Sequence, residues 1–154
     1  MNIKQLLFPE AVKAVSAVTS KKRLFQEMAE LAETVHGLPA NGTLQALQER
    51  EALGPTGVGQ GVALPHARLE GLEEVKAVFI RLEKPTDFDS ADKQSVDLFF
   101  GLFAPKEAGV DHLKALALVS RTMRNPDICA KLRANTDPAS LHAILTEETE
   151  TKAA

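Results

Sequence analysis

Apolar residues fall on one helical stripe at Leu24, Phe25, Met28, Leu31, Ala32 and Val35, with Ser20 placed to cap its start and Gly37 to end it. A second helix is expected from about Thr43 to Ala52, with Leu44 and Leu47 on one face and Arg50 near its end, before Gly54-Pro55 breaks it. The pattern then changes. Val75 to Leu82 and Val96 to Phe103 are near-continuous apolar runs, which predicts strands covered on both faces at the centre of a sheet. The C-terminal third returns to helical spacing: Asp111 to Met123 carries Leu113, Leu116, Ala117 and Val119. Asn125-Pro126 and Asp137-Pro138 each read as an N-cap followed by proline at the first helical position. Ahead of all these, Ile3 to Leu7 is expected as a short helix and Ala11 to Ser16 as a strand; Glu147 to Ala154 is polar and expected to fray. This order of elements predicts an α/β fold, a single layered domain over 1–154 with a core of about 3–146 and a mixed sheet flanked by helices.

The bulk numbers narrow the function. A chain of 154 residues fits one core, since about 150 residues already bury roughly 68–70% of the unfolded surface. The net charge of -3 gives no electrostatic reason for tight nucleic-acid binding. The single cysteine, Cys129, has no intramolecular partner, and nothing near it has zinc-site spacing, so no metal and no cofactor are expected. Cys129 itself reads as a small buried apolar residue. The N-terminal apolar stretch Leu6-Leu7-Phe8 is cut by Pro9 and Glu10, unlike a signal peptide, and no stretch reaches the roughly 18 apolar residues of a membrane span. A cytoplasmic protein without direct membrane insertion is expected.

The chemistry is concentrated in Gly57-Val58-Gly59-Gln60-Gly61-Val62-Ala63-Leu64-Pro65-His66. Gly57, Gly59 and Gly61 remove side chains where a backbone could bend and turn its N–H groups toward an anion. The spacing is not a nucleotide fingerprint, and a turn with no ligand explains the glycines equally well. The following Val62 to His66 reads as a short strand ended by Pro65, delivering His66 at the strand's end. An imidazole with an ordinary pKa near 6.5 is about three-quarters neutral at pH 7, so a histidine can accept a phosphoryl group without a separate base. Arg50 is the candidate to bind the new charge in bidentate fashion; pairing with Glu49 or Glu51 on a solvated face is the competing reading. His112, in the first turn of a helix, is placed to donate to a phosphoryl oxygen or pin the His66 ring, although a lone histidine at a helix start is more often merely exposed. Arg68, beside His66, is expected to sit in solvent rather than to help hold phosphate, and Lys21-Lys22-Arg23 to be a solvated helix start rather than a docking patch for an acidic partner; His36 reads as a residue favouring its helix's C-terminal dipole and His142 as an ordinary helix-face residue.

The chain resembles the enzyme IIA component of the bacterial phosphoenolpyruvate-dependent phosphotransferase system, of the fructose/mannitol class and its nitrogen-related branch. The resemblance runs from Ile3 to Leu145 and is carried by Arg50-Glu51-Ala52-Leu53-Gly54-Pro55-Thr56-Gly57-Val58-Gly59, Gly61 to His66, Val96-Asp97-Leu98-Phe99-Phe100 and Asp111-His112-Leu113-Lys114-Ala115-Leu116. It implies a mixed sheet of about five strands, His66 as phosphoryl acceptor from a histidine of a small HPr-like carrier, and Arg50 and His112 lining the site. Thr56, Gly57, Gly59 and Gly61 are the candidate phosphate-binding positions. Ala67 replaces an expected glycine and Gln60 an expected asparagine, and neither change removes a functional group. The protein would act as a carrier with a phosphohistidine intermediate, controlling regulatory target proteins by its phosphorylation state. The alternatives are a fructose/mannitol-class IIA that hands phosphate to a sugar permease, and a regulatory domain that binds an anion or nucleotide at the glycines.

Overall fold

The computed structural model describes residues 1–153, with side chains for 1–147. Val12–Val15 forms β1, Gly57–Gly59 β2, Val62–Ala63 β3, His66–Leu69 β4, Lys76–Thr86 β5 and Val96–Pro105 β6. They make one mixed sheet in the order β1-β5-β6-β3-β2, with β4 also paired to β6. These six strands fill five ranks, because β3 and β4 lie end to end on the same edge of β6: Val62 and Ala63 face Leu98 and Phe99, and His66 to Leu69 face Leu102 to Pro105. β5 and β6 run antiparallel at the centre, β1 runs parallel to β5, β3 and β4 run parallel to β6, and β2 closes the edge antiparallel to β3.

The central pair is buried on both faces, as the continuous apolar runs require: Ala77 to Leu82 and Leu98 to Ala104 are inaccessible or nearly so. Phe79, Phe88, Phe99, Phe100 and Phe103 are fully buried, each stabilising the fold by about 1.5–3 kcal/mol. β5 runs four residues beyond the Leu82 at which the apolar run stops. The extra residues Glu83, Lys84 and Pro85 are exposed, so hydrophobicity ends before backbone pairing does; the Lys84 N–H still donates to Ser16 at 3.0 Å, and Thr86 still faces Val96.

Among the described residues six α-helices surround the sheet: α1 (Ile3–Leu6), α2 (Lys21–His36), α3 (Ala40–Ala52), α4 (Val110–Met123), α5 (Pro126–Arg133) and α6 (Pro138–Ala153). α2 has the expected ends: Ser20 Oγ accepts from the Arg23 N–H at 3.1 Å, and Gly37 adopts the left-handed conformation at φ 70°. α3 begins three residues before Thr43. The Thr43 N–H donates to the Pro39 carbonyl and the Ala40 N–H is capped by Glu33 from α2 at 3.0 Å, so a long-range carboxylate carries the helix across Asn41-Gly42. Asn125 caps α5 as expected, and Asp137 Oδ2 accepts from the Ser140 N–H at the start of α6. α6 is helical through Ala153; the side chains of the tail expected to fray lie outside the described residues after Glu147.

Alternate residues on a strand point to opposite faces. Val78 and Gly101 meet Met28 of α2 on one face, while Arg81, an odd number of residues on, reaches α5, where it donates to the carbonyls of Leu132 and Arg133. β4 has only β6 as a strand partner, and α3 packs beside it. That arrangement brings the end of α3, the start of β4 and the start of α4 together.

Candidate functional site

His66 opens β4 rather than closing the strand before it. Leu64 and Pro65 interrupt the edge between β3 and β4, which fits a proline that has no N–H to give a ladder. The interruption frees the Leu64 carbonyl, and His66 Nδ1 donates to it at 2.8 Å. Arg50 Nε donates to His66 Nε2 at 3.2 Å, while Arg50 Nη1 donates to the Gly54 carbonyl at 2.9 Å. An arginine N–H can only donate, so Nε2 must present a lone pair and the proton sits on Nδ1. Burial pushes the His66 pKa down; the Leu64 hydrogen bond opposes it, and then the Arg50 charge lowers it further and Glu51 raises it. The ring is held neutral, with a lone pair on Nε2.

His112, in the first turn of α4, is 5% exposed. Its ring stands 5.7 Å from that of His66, edge to face at 71°. Its Nδ1 accepts from Arg68 Nε at 3.2 Å, and its buried Nε2 has no hydrogen-bond partner. Burial, then the neighbouring His66 and Arg68, lowers the pKa of this histidine as well. His66, Arg50, His112 and Arg68 line one cleft together with Glu49 and Leu53. Three residues distant in sequence, Arg50, His66 and His112, are therefore brought together, and the sequence reading of Arg68 as solvated is corrected: although exposed, it is tied to His112 and to the Lys106 carbonyl.

The glycine segment lies elsewhere. None of Thr56, Gly57, Gly59 and Gly61 lines the cleft at His66. The Thr56 N–H and hydroxyl both donate to the Glu51 carboxylate, which also meets Lys21 at 3.6 Å. Gly57 and Gly59 pair with β3 in a hairpin whose turn residues Gln60 and Gly61 have φ of 56° and 79°, the left-handed values that a tight hairpin demands. A Cβ on Gly61 would also lie 2.5 Å from Arg133 Nη2, the guanidinium that forks onto Asp97. The glycines thus fit close packing rather than an anion cradle. Their sequence signal is the same in both cases.

The remaining flagged residues are structural. His36 Nε2 is 2.9 Å from the Ala77 carbonyl and His142 Nε2 is 2.9 Å from that of Leu7. Cys129 is buried with Sγ directed at the Met123 carbonyl, and burial raises its pKa. In the Lys21-Lys22-Arg23 run, Lys21 lies over the Phe88 ring and Arg23 pairs with Glu27.

Residues 5–148 match the family described as phosphoenolpyruvate-dependent sugar phosphotransferase system, EIIA 2. The chain belongs to this EIIA family. It is 46% identical over 145 residues to a nitrogen regulatory protein of Bradyrhizobium diazoefficiens, covering 94% of this chain and 95% of the relative. It also superimposes on the nitrogen regulatory protein IIA-Ntr of Neisseria meningitidis with a TM-score of 0.85 at 35% identity, covering 94% and 99% of the two chains. The IIA mannitol protein of Escherichia coli shares the fold, with a TM-score of 0.75 at 18% identity over 89% of this chain and 96% of its own. Among these relatives, this EIIA protein sits with the nitrogen regulatory group. No helix among its described residues is long and apolar enough to cross a membrane.

Proposed function

We propose that His66 Nε2 is the phosphoryl acceptor, and that the protein relays the group from a phosphohistidine of a small HPr-like carrier to control regulatory targets by its phosphorylation state. The observation that carries this is the neutral His66 ring, with its proton on the Leu64 carbonyl and its Nε2 lone pair beside Arg50. In the transfer, the lone pair forms the new P–N bond as the carrier's P–N bond breaks, and the carrier's imidazole keeps that bond's electron pair. The Nδ1 proton stays on His66, so no base is needed. As charge gathers on the phosphoryl oxygens, Arg50 turns its guanidinium N–H groups to them and the unpaired His112 Nε2–H adds a donor.

Access also supports the reading. Leu53 is 84% exposed beside Arg50, and Val110 and Leu113 flank His112 at 61% and 64%. Large apolar side chains exposed around a polar cleft suit transient docking of a partner protein. The nitrogen regulatory relatives favour regulation over sugar transport as the outcome.

The test is incubation with phosphoenolpyruvate, enzyme I and the small carrier, followed by intact mass measurement before and after mild acid. Wild type should gain one acid-labile phosphoryl group and His66→Ala none. Labelling of His66→Ala, or no labelling of wild type, would sink the reading.

A further inference from the structure

The cleft contains two histidines, each receiving a hydrogen bond from an arginine Nε: Arg50 to His66 at 3.2 Å, and Arg68 to His112 at 3.2 Å. The second pair has a consequence of its own. Because Arg68 can only donate, His112 Nδ1 must hold a lone pair, and the ring proton must sit on Nε2. That Nε2 is buried with no partner. A buried donor left unpaired opposes folding, which makes sense where an acceptor arrives during function. The acceptor is an anion on the neighbouring His66 ring, 5.7 Å away centre to centre.

We propose that Arg68 is a positioning residue for phosphoryl transfer, fixing His112 as the neutral Nε2–H form turned for donation to the phosphoryl group; this rests on the reading of His66 as acceptor. The fork does a second task. Arg68 Nη1 donates to the Lys106 carbonyl at 3.2 Å, so a single side chain on β4 holds both the loop that leads into α4 and the histidine in its first turn. A neutral donor also suits a relay, since a cationic His112 would bind the dianion more tightly and slow its onward passage. The charged or titratable groups that share the cleft with His112 are His66 and Arg68 of β4 and Arg50 and Glu49 of α3, and of these His66 and Arg68 oppose a proton on the ring.

Arg68 is exposed, and substitutions at exposed positions usually change stability little, so Arg68→Leu should fold. Two-bond 1H–15N spectra of the unphosphorylated protein should show His112 as the Nε2–H form with Nδ1 hydrogen-bonded in wild type. In Arg68→Leu the Nδ1 resonance should move to the position of an unbonded acceptor. Phosphoryl acceptance from the phosphorylated small carrier should slow by about tenfold, the lower end of the 10–100-fold seen when partners that orient metal-bound histidines are removed. Arg68→Lys should recover part of the rate, and in a His112→Gln background Arg68→Leu should add no further loss. An unchanged His112 spectrum, or an equal loss with and without His112, would overturn the positioning role. Failure of wild type to be phosphorylated, with the expected imidazole spectrum intact, would instead bring down the acceptor reading.

Discussion

Replacing Gly57 by alanine separates the two meanings of the glycine segment. A Cβ at this position would lie 2.0 Å from Ser90 Oγ, 2.8 Å from Ser90 Cβ and 3.0 Å from Ser90 Cα. Carbon atoms at their optimal separation stand about 3.5–4.0 Å apart, so the loop carrying Ser90 between β5 and β6 must move. Overpacking of this kind costs about 1–3 kcal/mol. The lower chain entropy of alanine returns about 0.4–1 kcal/mol, because Gly57 is not held at a positive φ. The net loss of about 1–2 kcal/mol corresponds to a fall in Tm of about 2–8 °C for a chain of this size. Urea denaturation and thermal melting of Gly57→Ala, Ser90→Gly and the double variant form the cycle. Ser90→Gly should relieve much of the alanine's cost, the remaining 3.0 Å approach to Cα keeping the rescue partial. Phosphoryl acceptance below the melting range should be that of wild type. An alanine variant that melts like wild type yet accepts phosphoryl groups slowly would refute the packing argument and restore the glycines as an anion cradle.

Three further expectations follow from the same geometry. Arg50→Ala should slow phosphoryl acceptance about 10²–10³-fold in rapid-quench measurements while the circular dichroism spectrum is unchanged; wild-type rates would remove Arg50 from the chemistry. Arg81→Met strips the donors from the Leu132 and Arg133 carbonyls at the end of α5 and should cost about 1–3 kcal/mol in urea, whereas an unchanged midpoint would mean that water replaces the guanidinium without loss. Burial lowers the pKa of His36, His66 and His112 in the fold. Below the ordinary histidine value of about 6.5 the unfolded chain therefore binds more protons than the native one, and stability should fall as pH drops from about 7 toward 5. Stability that rises over that interval would contradict the buried, neutral state of these rings.

The elements that could be read from the chain were those whose signals are local. Ser20, Gly37, Asn125 and Asp137 act within a turn of their own position, and the apolar runs of β5 and β6 record burial on both faces. What was hidden depends on partners far along the chain. The start of α3 needs Glu33 to cap Ala40, and the exposed end of β5 needs Ser16 to receive the Lys84 N–H. The site divides in the same way. His66 was visible through its glycine and proline context, and Arg50 and His112 through family resemblance, but their approach to one another is a product of tertiary folding. Arg68 could be read as a basic residue beside the site, but its tie to His112, 44 residues away, could not. Glycine spacing alone cannot choose between the two readings, because a tight hairpin and an anion nest ask the same thing of the backbone.

The break between β3 and β4 has a consequence for how such a protein can vary. The bond that decides which imidazole nitrogen faces outward is made by the peptide carbonyl of Leu64, not by a side chain. No single exchange of one amino acid for another deletes a peptide oxygen, so the chemical identity of the nucleophile is insulated from mutation at Leu64 as long as the chain keeps its path. The surrounding surface, including the apolar rim of Leu53, Val110 and Leu113, is therefore free to be redrawn for new audiences while the reactive atom stays the same.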